Sequence, residues 1–125
     1  AAHFKLTNLI TFVDRNHNMI DGNTEDVMAL EPLADKWAAF GFIVKVVDGH
    51  NFNELAEAID FALENKSGKP VMIIADTIKG EGVDFMEDNF MWHYGAINEE
   101  KYEIAKASLE KYYAARKARA EKEGI

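Results

Sequence analysis

Leu9-Ile10-Thr11-Phe12-Val13-Asp14-Arg15-Asn16-His17-Asn18-Met19-Ile20-Asp21-Gly22 is the stretch on which the reading of this chain turns. The apolar run Leu9–Val13 reads as a buried β-strand. A carboxylate and two carboxamides follow at alternate positions, and Asp21-Gly22 closes the stretch with a turn signal. Oxygen-bearing side chains at the C-terminal end of a buried strand are where an α/β sheet usually receives its ligand. Two readings of the loop follow from the residues alone. One is a polar connection whose Asn residues turn and cap the backbone. The other is a calcium loop of the EF-hand type, with Asp14, Asn16, Asn18 and Glu25 at its first, third, fifth and twelfth positions. Met19 stands where that loop needs glycine, and the residues before Asp14 have strand character rather than helical character.

A third reading is a cation site for a diphosphate cofactor, and it comes with a resemblance. Phe12-Val13-Asp14-Arg15-Asn16-His17-Asn18-Met19-Ile20-Asp21-Gly22 resembles the thiamine-diphosphate domain of transketolases. The resemblance continues through Glu31-Pro32-Leu33-Ala34-Asp35-Lys36-Trp37, Asp48-Gly49-His50, Lys79-Gly80-Glu81-Gly82 and Trp92-His93. It implies that the Asn16 side chain and the Asn18 backbone carbonyl bind Mg²⁺, or Ca²⁺ or Mn²⁺ in its place. Asp14 lies just behind them, and Ile20 belongs to the same cofactor-binding segment. The metal in turn holds the diphosphate of thiamine diphosphate. In that family a Gly-Asp-Gly loop supplies another metal ligand, and no copy of it occurs in this sequence. The resemblance therefore implies residues 1–125 as a partial diphosphate- and metal-binding domain. The rest of the domain, with that loop, is expected upstream of Ala1. The resemblance further implies a pyrimidine-binding domain or subunit as partner and a complete enzyme that is a dimer or larger.

Composition bounds these readings. The 125 residues make one domain's worth of chain, and 48% of them are hydrophobic, enough for a packed core. A formal charge of -8 argues against a nucleic-acid partner, which demands a basic face. No apolar run reaches the roughly 18 residues that span a bilayer. With no cysteine there is no disulfide, zinc–thiolate site or cysteine nucleophile. The lack of cysteine, and an opening Ala1-Ala2-His3 unlike a signal peptide, fit a cytoplasmic protein. The absent initiator Met fits a chain processed or cut from a longer one.

The rest of the sequence alternates helix and strand signals. Ala1–Leu6 reads as the tail of a helix, and Glu25–Met28 as a short turn behind an Asn23-Thr24 cap. Glu31–Phe40 reads as a helix with Pro32 in its first turn and Gly41 as its stop. Phe42–Val47 is a second strand. The next helix, capped by Asn51 or Asn53, carries Leu55, Ile59 and Leu63 on one face. Val71–Ala75 is a third strand whose unbroken apolar run predicts burial on both faces. This order predicts an α/β fold: a parallel sheet with flanking helices, a fragment of a thiamine-diphosphate-binding fold. After Asp76 a long loop runs to Ile97, of a length often functional. Residues 98–123 read as a C-terminal amphipathic helix, with Tyr102, Ala105, Leu109, Tyr112 and Arg116 on one stripe.

His93 is the candidate catalytic residue. By the resemblance it lies near the cofactor diphosphate and the donor substrate and assists proton transfer. In the family the histidine is followed directly by Gly, whereas here Tyr94 intervenes before Gly95. Lys79 is a further cofactor-binding candidate that faces a phosphate. Lys79-Gly80-Glu81-Gly82 lacks the spacing of a Walker loop. The resemblance implies transfer of a two-carbon ketol unit between sugar phosphates, as in the pentose phosphate pathway. The isolated chain is expected to be inactive. The rival reading is a non-catalytic α/β fragment or a partner-binding module.

Overall fold

A computed structural model describes residues 1–123, so the last two positions of the 1–125 domain lie outside the described residues. In chain order the elements are β1 (Ile10–Arg15), β2 (Asn18–Met19), β3 (Gly22–Asn23), α1 (Thr24–Val27), α2 (Leu33–Ala39), β4 (Ile43–Asp48), α3 (Phe52–Glu64), β5 (Val71–Asp76), a 3-10 turn (Phe90–His93) and α4 (Glu99–Glu123). Two compact units result. The first comprises Ala1–His17 and Thr24–Thr77; the second comprises Asn18–Asn23 and the residues from Ile78 onward.

The first unit is built on a parallel sheet in the order β1-β5-β4. β5 pairs with β1 from Ile10↔Val71 to Arg15↔Asp76, and with β4 from Ile43↔Val71 to Asp48↔Asp76. Pairing on both sides goes with the apolar run of β5, in which Val71, Met72, Ile73 and Ile74, alternating between the two faces, are all buried. The sheet edges are wetter. Phe12 of β1 is 52% exposed and Val46 of β4 is 60% exposed.

α3 covers one face of this sheet. Its Ala58 and Ala62 pack on Val71 and Ile73, with Ile10, Ile43 and Val47 around them. The inward stripe therefore runs from half-buried Leu55 through the alanines, and not through Ile59 and Leu63. Leu63 is 63% exposed. Small side chains let the helix approach branched residues of the sheet closely, so packing and not residue size sets the helix rotation. Asn51 is its cap: the Asn51 side chain accepts from the N–H groups of Asn53 and Glu54 and donates to the Glu54 carboxylate. Such a cap contributes about 1 kcal/mol.

α2 ends as its sequence predicts. Gly41 takes φ +93 and donates to the Ala38 carbonyl, and the Phe42 N–H donates to the Trp37 carbonyl. The Trp37 and Phe42 rings meet edge to face, 5.1 Å apart. This is a Schellman ending with its apolar contact, and it turns the chain directly into β4. Ala1–Leu6, by contrast, forms turns rather than a helix tail, with Lys5 at φ +53.

In the second unit β2 and β3 form a small antiparallel hairpin packed beside the 3-10 turn. Ala105, Leu109 and Tyr112 of α4 are half-buried and Ser108 is buried, whereas Tyr102 is 52% exposed. Leu109 and the Tyr112 ring crowd Gly82, where an added Cβ would lie 3.0 Å from a ring carbon. The Tyr112 hydroxyl donates to the Glu81 carboxylate and accepts from Arg116. Burial first, and then the bond to Glu81, raise the Tyr112 hydroxyl above its usual range. Among the described residues no helix is long and apolar enough to cross a membrane.

Candidate functional site

Strand periodicity sends Asp14 and Arg15 to opposite faces of β1. The Asp14 carboxylate accepts from the Thr77 hydroxyl and, at 3.4 Å, from the Asn16 amide. His17 Nε2 lies 2.5 Å from Asp76 Oδ1. Gly49 closes in from the end of β4: its N–H donates to the Asp76 carbonyl at 2.7 Å, and an added Cβ would lie 2.3 Å from the Thr77 methyl. Only glycine allows this approach. The carboxyl ends of the strands thus gather oxygen-bearing side chains from β1, from β5 and from the residues just after them, with the Gly49 backbone pressed alongside.

Arg15 is the residue that sequence reasoning missed. It is 4% exposed, and its guanidinium donates to Glu31 (3.0 Å), Glu25 (2.8 Å) and Thr24 (2.9 Å). The planar fork of arginine suits three acceptors at once. It ties the end of β1 to α1, just where the Thr24 N–H returns to the His17 carbonyl at 2.8 Å. The signal was an arginine inside a strand with two glutamates soon after it. These contacts also remove the calcium-loop reading. Asp14 lies within β1, and Glu25 is engaged by Arg15 rather than free to close a loop.

The same glutamates set an acid limit. The Leu30 N–H holds Glu25 below the usual carboxylate range, helped by the Glu31 N–H, Thr24 and Arg15. The Leu33 N–H, and then Arg15, hold Glu31 below it. Below the ordinary value of 4.5 the unfolded chain binds protons that the folded chain still refuses. The stabilisation is therefore complete above that pH and is lost as pH falls through the folded values. Glu31→Gln is expected to flatten the fall in urea midpoint below this pH. An unchanged slope would show that Glu31 plays no part in the acid limit.

The second unit holds the other candidates. Asn18, in β2, donates through Nδ2 to Asp88 Oδ1 at 3.0 Å, and the Asp88 N–H donates to the Lys79 carbonyl at 2.8 Å. The structure therefore brings Asn18 and Lys79 together through Asp88. Ile20 sits between β2 and β3 and is 56% exposed. His93 ends the 3-10 turn, which Asn89 caps by accepting from the Met91 N–H. Its imidazole is exposed, with the Tyr94 ring 6.2 Å away. Trp92 packs inward on Phe85, and Lys101 lies over its ring. The glycine displaced to position 95 has its own reason: a Cβ there would lie 2.9 Å from Trp92.

Residues 1–117 match the family described as transketolase, thiamine diphosphate binding domain. This chain belongs to that family. The transketolase domain is 45% identical over 107 residues to the 6-deoxy-6-sulfo-D-fructose transketolase subunit SqwG of Clostridium sp., covering 86% of this chain and 38% of that protein. It is 38% identical over 102 residues to an apulose-4-phosphate transketolase subunit of Phocaeicola vulgatus, covering 82% of this chain and 36% of that protein. It thus spans well under half the length of these relatives. Among solved structures, the transketolase of Campylobacter jejuni superposes with a TM-score of 0.77 at 31% identity, covering 88% of this chain and 17% of that one.

The side chains gathered around Asn16 bear oxygen donors of the kind that hard cations take. Asp14 and Asn16 offer oxygen atoms, which Mg²⁺ and Ca²⁺ prefer. Among the described residues no group of three or more His, Asp or Glu side chains is arranged to hold a metal by itself. A few oxygen ligands from the protein, completed by phosphate oxygens and water, are how Mg²⁺ usually binds at nucleotide and diphosphate sites.

Proposed function

We propose that this transketolase domain is part of an enzyme that transfers a two-carbon ketol unit between sugar phosphates, with thiamine diphosphate bound through Mg²⁺. In this reading the Asn16 side chain and the Asn18 carbonyl hold the cation. Asp14 orients Asn16 through the hydrogen bond between them, and Thr77 holds Asp14 in turn. Ile20 lines the same cofactor segment, and Lys79 faces a phosphate. His93, exposed on its capped turn, accepts and returns a proton beside the donor substrate. Bound thiamine diphosphate supplies the carbon-centred chemistry, while the chain binds, orients and moves the proton. The observation that supports this reading most is the family match over residues 1–117.

The relatives named as subunits support an enzyme assembled from more than one chain. A companion would bring the pyrimidine-binding part. Their names also speak for sugars with an anionic end, a sulfonate in one case and a phosphate in the other. Residues 1–125 form a partial site, with the 98–123 helix as a flank of the domain. Cytoplasmic location belongs to the same proposal.

The 125 residues alone are expected to bind thiamine diphosphate poorly and to show no ketol transfer. No Gly-Asp-Gly loop is among them to complete the ligands, and Mg²⁺ gives up water reluctantly. Calorimetry with Mg²⁺ and the cofactor, and a ketol-transfer assay with and without the companion polypeptide, test this. Micromolar binding or turnover by this chain alone would contradict it. Failure of the assembled enzyme to transfer ketol units would remove the activity itself.

A further inference from the structure

Asp88 stands at an unusual junction. Its backbone takes φ +50, left-handed in a residue other than glycine. Asp tolerates this conformation better than most residues because its short polar side chain finds local partners. Here the carboxylate does something else. It accepts from Asn18, 70 residues away in the chain, while the Asp88 N–H holds the Lys79 carbonyl. A hydrogen bond to an ionised carboxylate is roughly twice as strong as one between neutral groups. A residue whose only task was to turn the chain would need the backbone geometry alone.

We propose that Asp88 is a positioning residue that orders the Asn18–Asn23 hairpin and fixes Asn18 for cation binding. The inference rests on the reading above, which gives the Asn18 carbonyl to the cation. With Asn18 tied by its side chain, rotation of that residue is restrained before the cation arrives. The ordering entropy is then already spent when the metal binds. Because the tie also reaches Lys79, one carboxylate-bearing turn holds two of the proposed cofactor residues in place.

Two substitutions separate this role from that of a turn residue. Asp88→Gly keeps the left-handed backbone, which glycine adopts freely, and removes the carboxylate. Asp88→Asn keeps both the backbone preference and an oxygen acceptor for Asn18. Both variants are made in the assembled enzyme, with Asn16→Ala beside them. Amide hydrogen exchange is read without cofactor, and the Mg²⁺ concentration for half-maximal thiamine diphosphate binding is read by calorimetry.

Asp88→Gly is expected to speed exchange across Asn18–Asn23 and to raise the half-saturating Mg²⁺ concentration on the order of 10-fold. Asp88→Asn, with a neutral acceptor, should lose much less, staying within about threefold of the parent in both. Global stability of Asp88→Gly should change little, because relief of the left-handed backbone offsets the lost hydrogen bond. If Asn16→Ala raises the Mg²⁺ requirement and Asp88→Gly leaves both readouts at parent values, the inference fails and the function reading stands. Parent-like Mg²⁺ behaviour in Asn16→Ala and Asp88→Gly together would remove the cation reading and the inference with it.

Discussion

Asn16→Ala in the assembled enzyme is expected to weaken Mg²⁺-dependent binding of thiamine diphosphate by on the order of 10-fold or more. The carboxamide supplies an oxygen at the carboxyl end of β1, and Asp14 and Thr77 form a chain of hydrogen bonds behind it. In the proposed reading, removing the side chain deletes a ligand and leaves that support with nothing to orient. The loss should shrink at saturating Mg²⁺, because the missing interaction acts through the cation. Ketol transfer should fall at limiting Mg²⁺ and partly recover at high Mg²⁺. Asn16→Asp is the informative partner variant, since it keeps an oxygen and adds charge; it should retain more affinity than alanine. Titration of the cofactor at several fixed Mg²⁺ concentrations checks this. Cofactor affinity unchanged at limiting Mg²⁺ would take Asn16 out of the cation site.

Arg15→Met is expected to destabilise the first unit by about 2–4 kcal/mol. Arg15 is buried while its carboxylate partners are half-exposed, at 42% for the Glu25 side chain and 51% for Glu31. Loss of the guanidinium leaves Glu25 and Glu31 able to rehydrate. The penalty therefore sits below that of breaking a fully buried pair. Thr24 is the exception, being 6% exposed, and it loses a buried donor to its hydroxyl. Methionine preserves much of the volume, so the loss reports hydrogen bonds more than cavity. A fall in urea midpoint with an unchanged m-value is the expected signature. A midpoint within error of the parent would mean that the packing of β1 and α1 holds without the ion pairs.

Much of the fold was legible because its strands and turns carry local signals. Leu9–Val13, Phe42–Val47 and Val71–Ala75 announce strands through apolar and β-branched residues, and β1, β4 and β5 overlap these ranges with an end shifted by one or two residues, whereas the two-residue strands β2 and β3 lie in the stretch read as a polar loop. Gly41 marked the end of α2 because few other residues take its left-handed backbone there. The inward face of α3 was not legible. Ile59 and Leu63 are larger side chains than Ala58 and Ala62, yet it is the alanines that meet the sheet. Periodicity gives the spacing of a helical face, whereas the close fit to β5 selects which face turns inward.

The candidate residues divide in the same way. Asp14, Asn16, Asn18, Lys79 and His93 were visible as residue types in motifs at set spacings, and the family could be recognised from them. Nothing local indicated that Thr77 would hold Asp14, or that Gly49 would press against the chain after β5. Nor did Asp88 signal its hold on Asn18 from 70 residues away. The residues alone carry the order of the three sheet strands and of the helices between and after them, the family and the oxygen-rich chemistry at the end of β1. Only the tertiary structure decided that β5 lies centrally, that Arg15 is buried against two glutamates, and that Asn18 and Lys79 share Asp88. The physical reason is range. Strand and helix preferences act over a few neighbouring residues, whereas a side chain's partner is chosen by whichever distant group the folded backbone brings within about 3 Å.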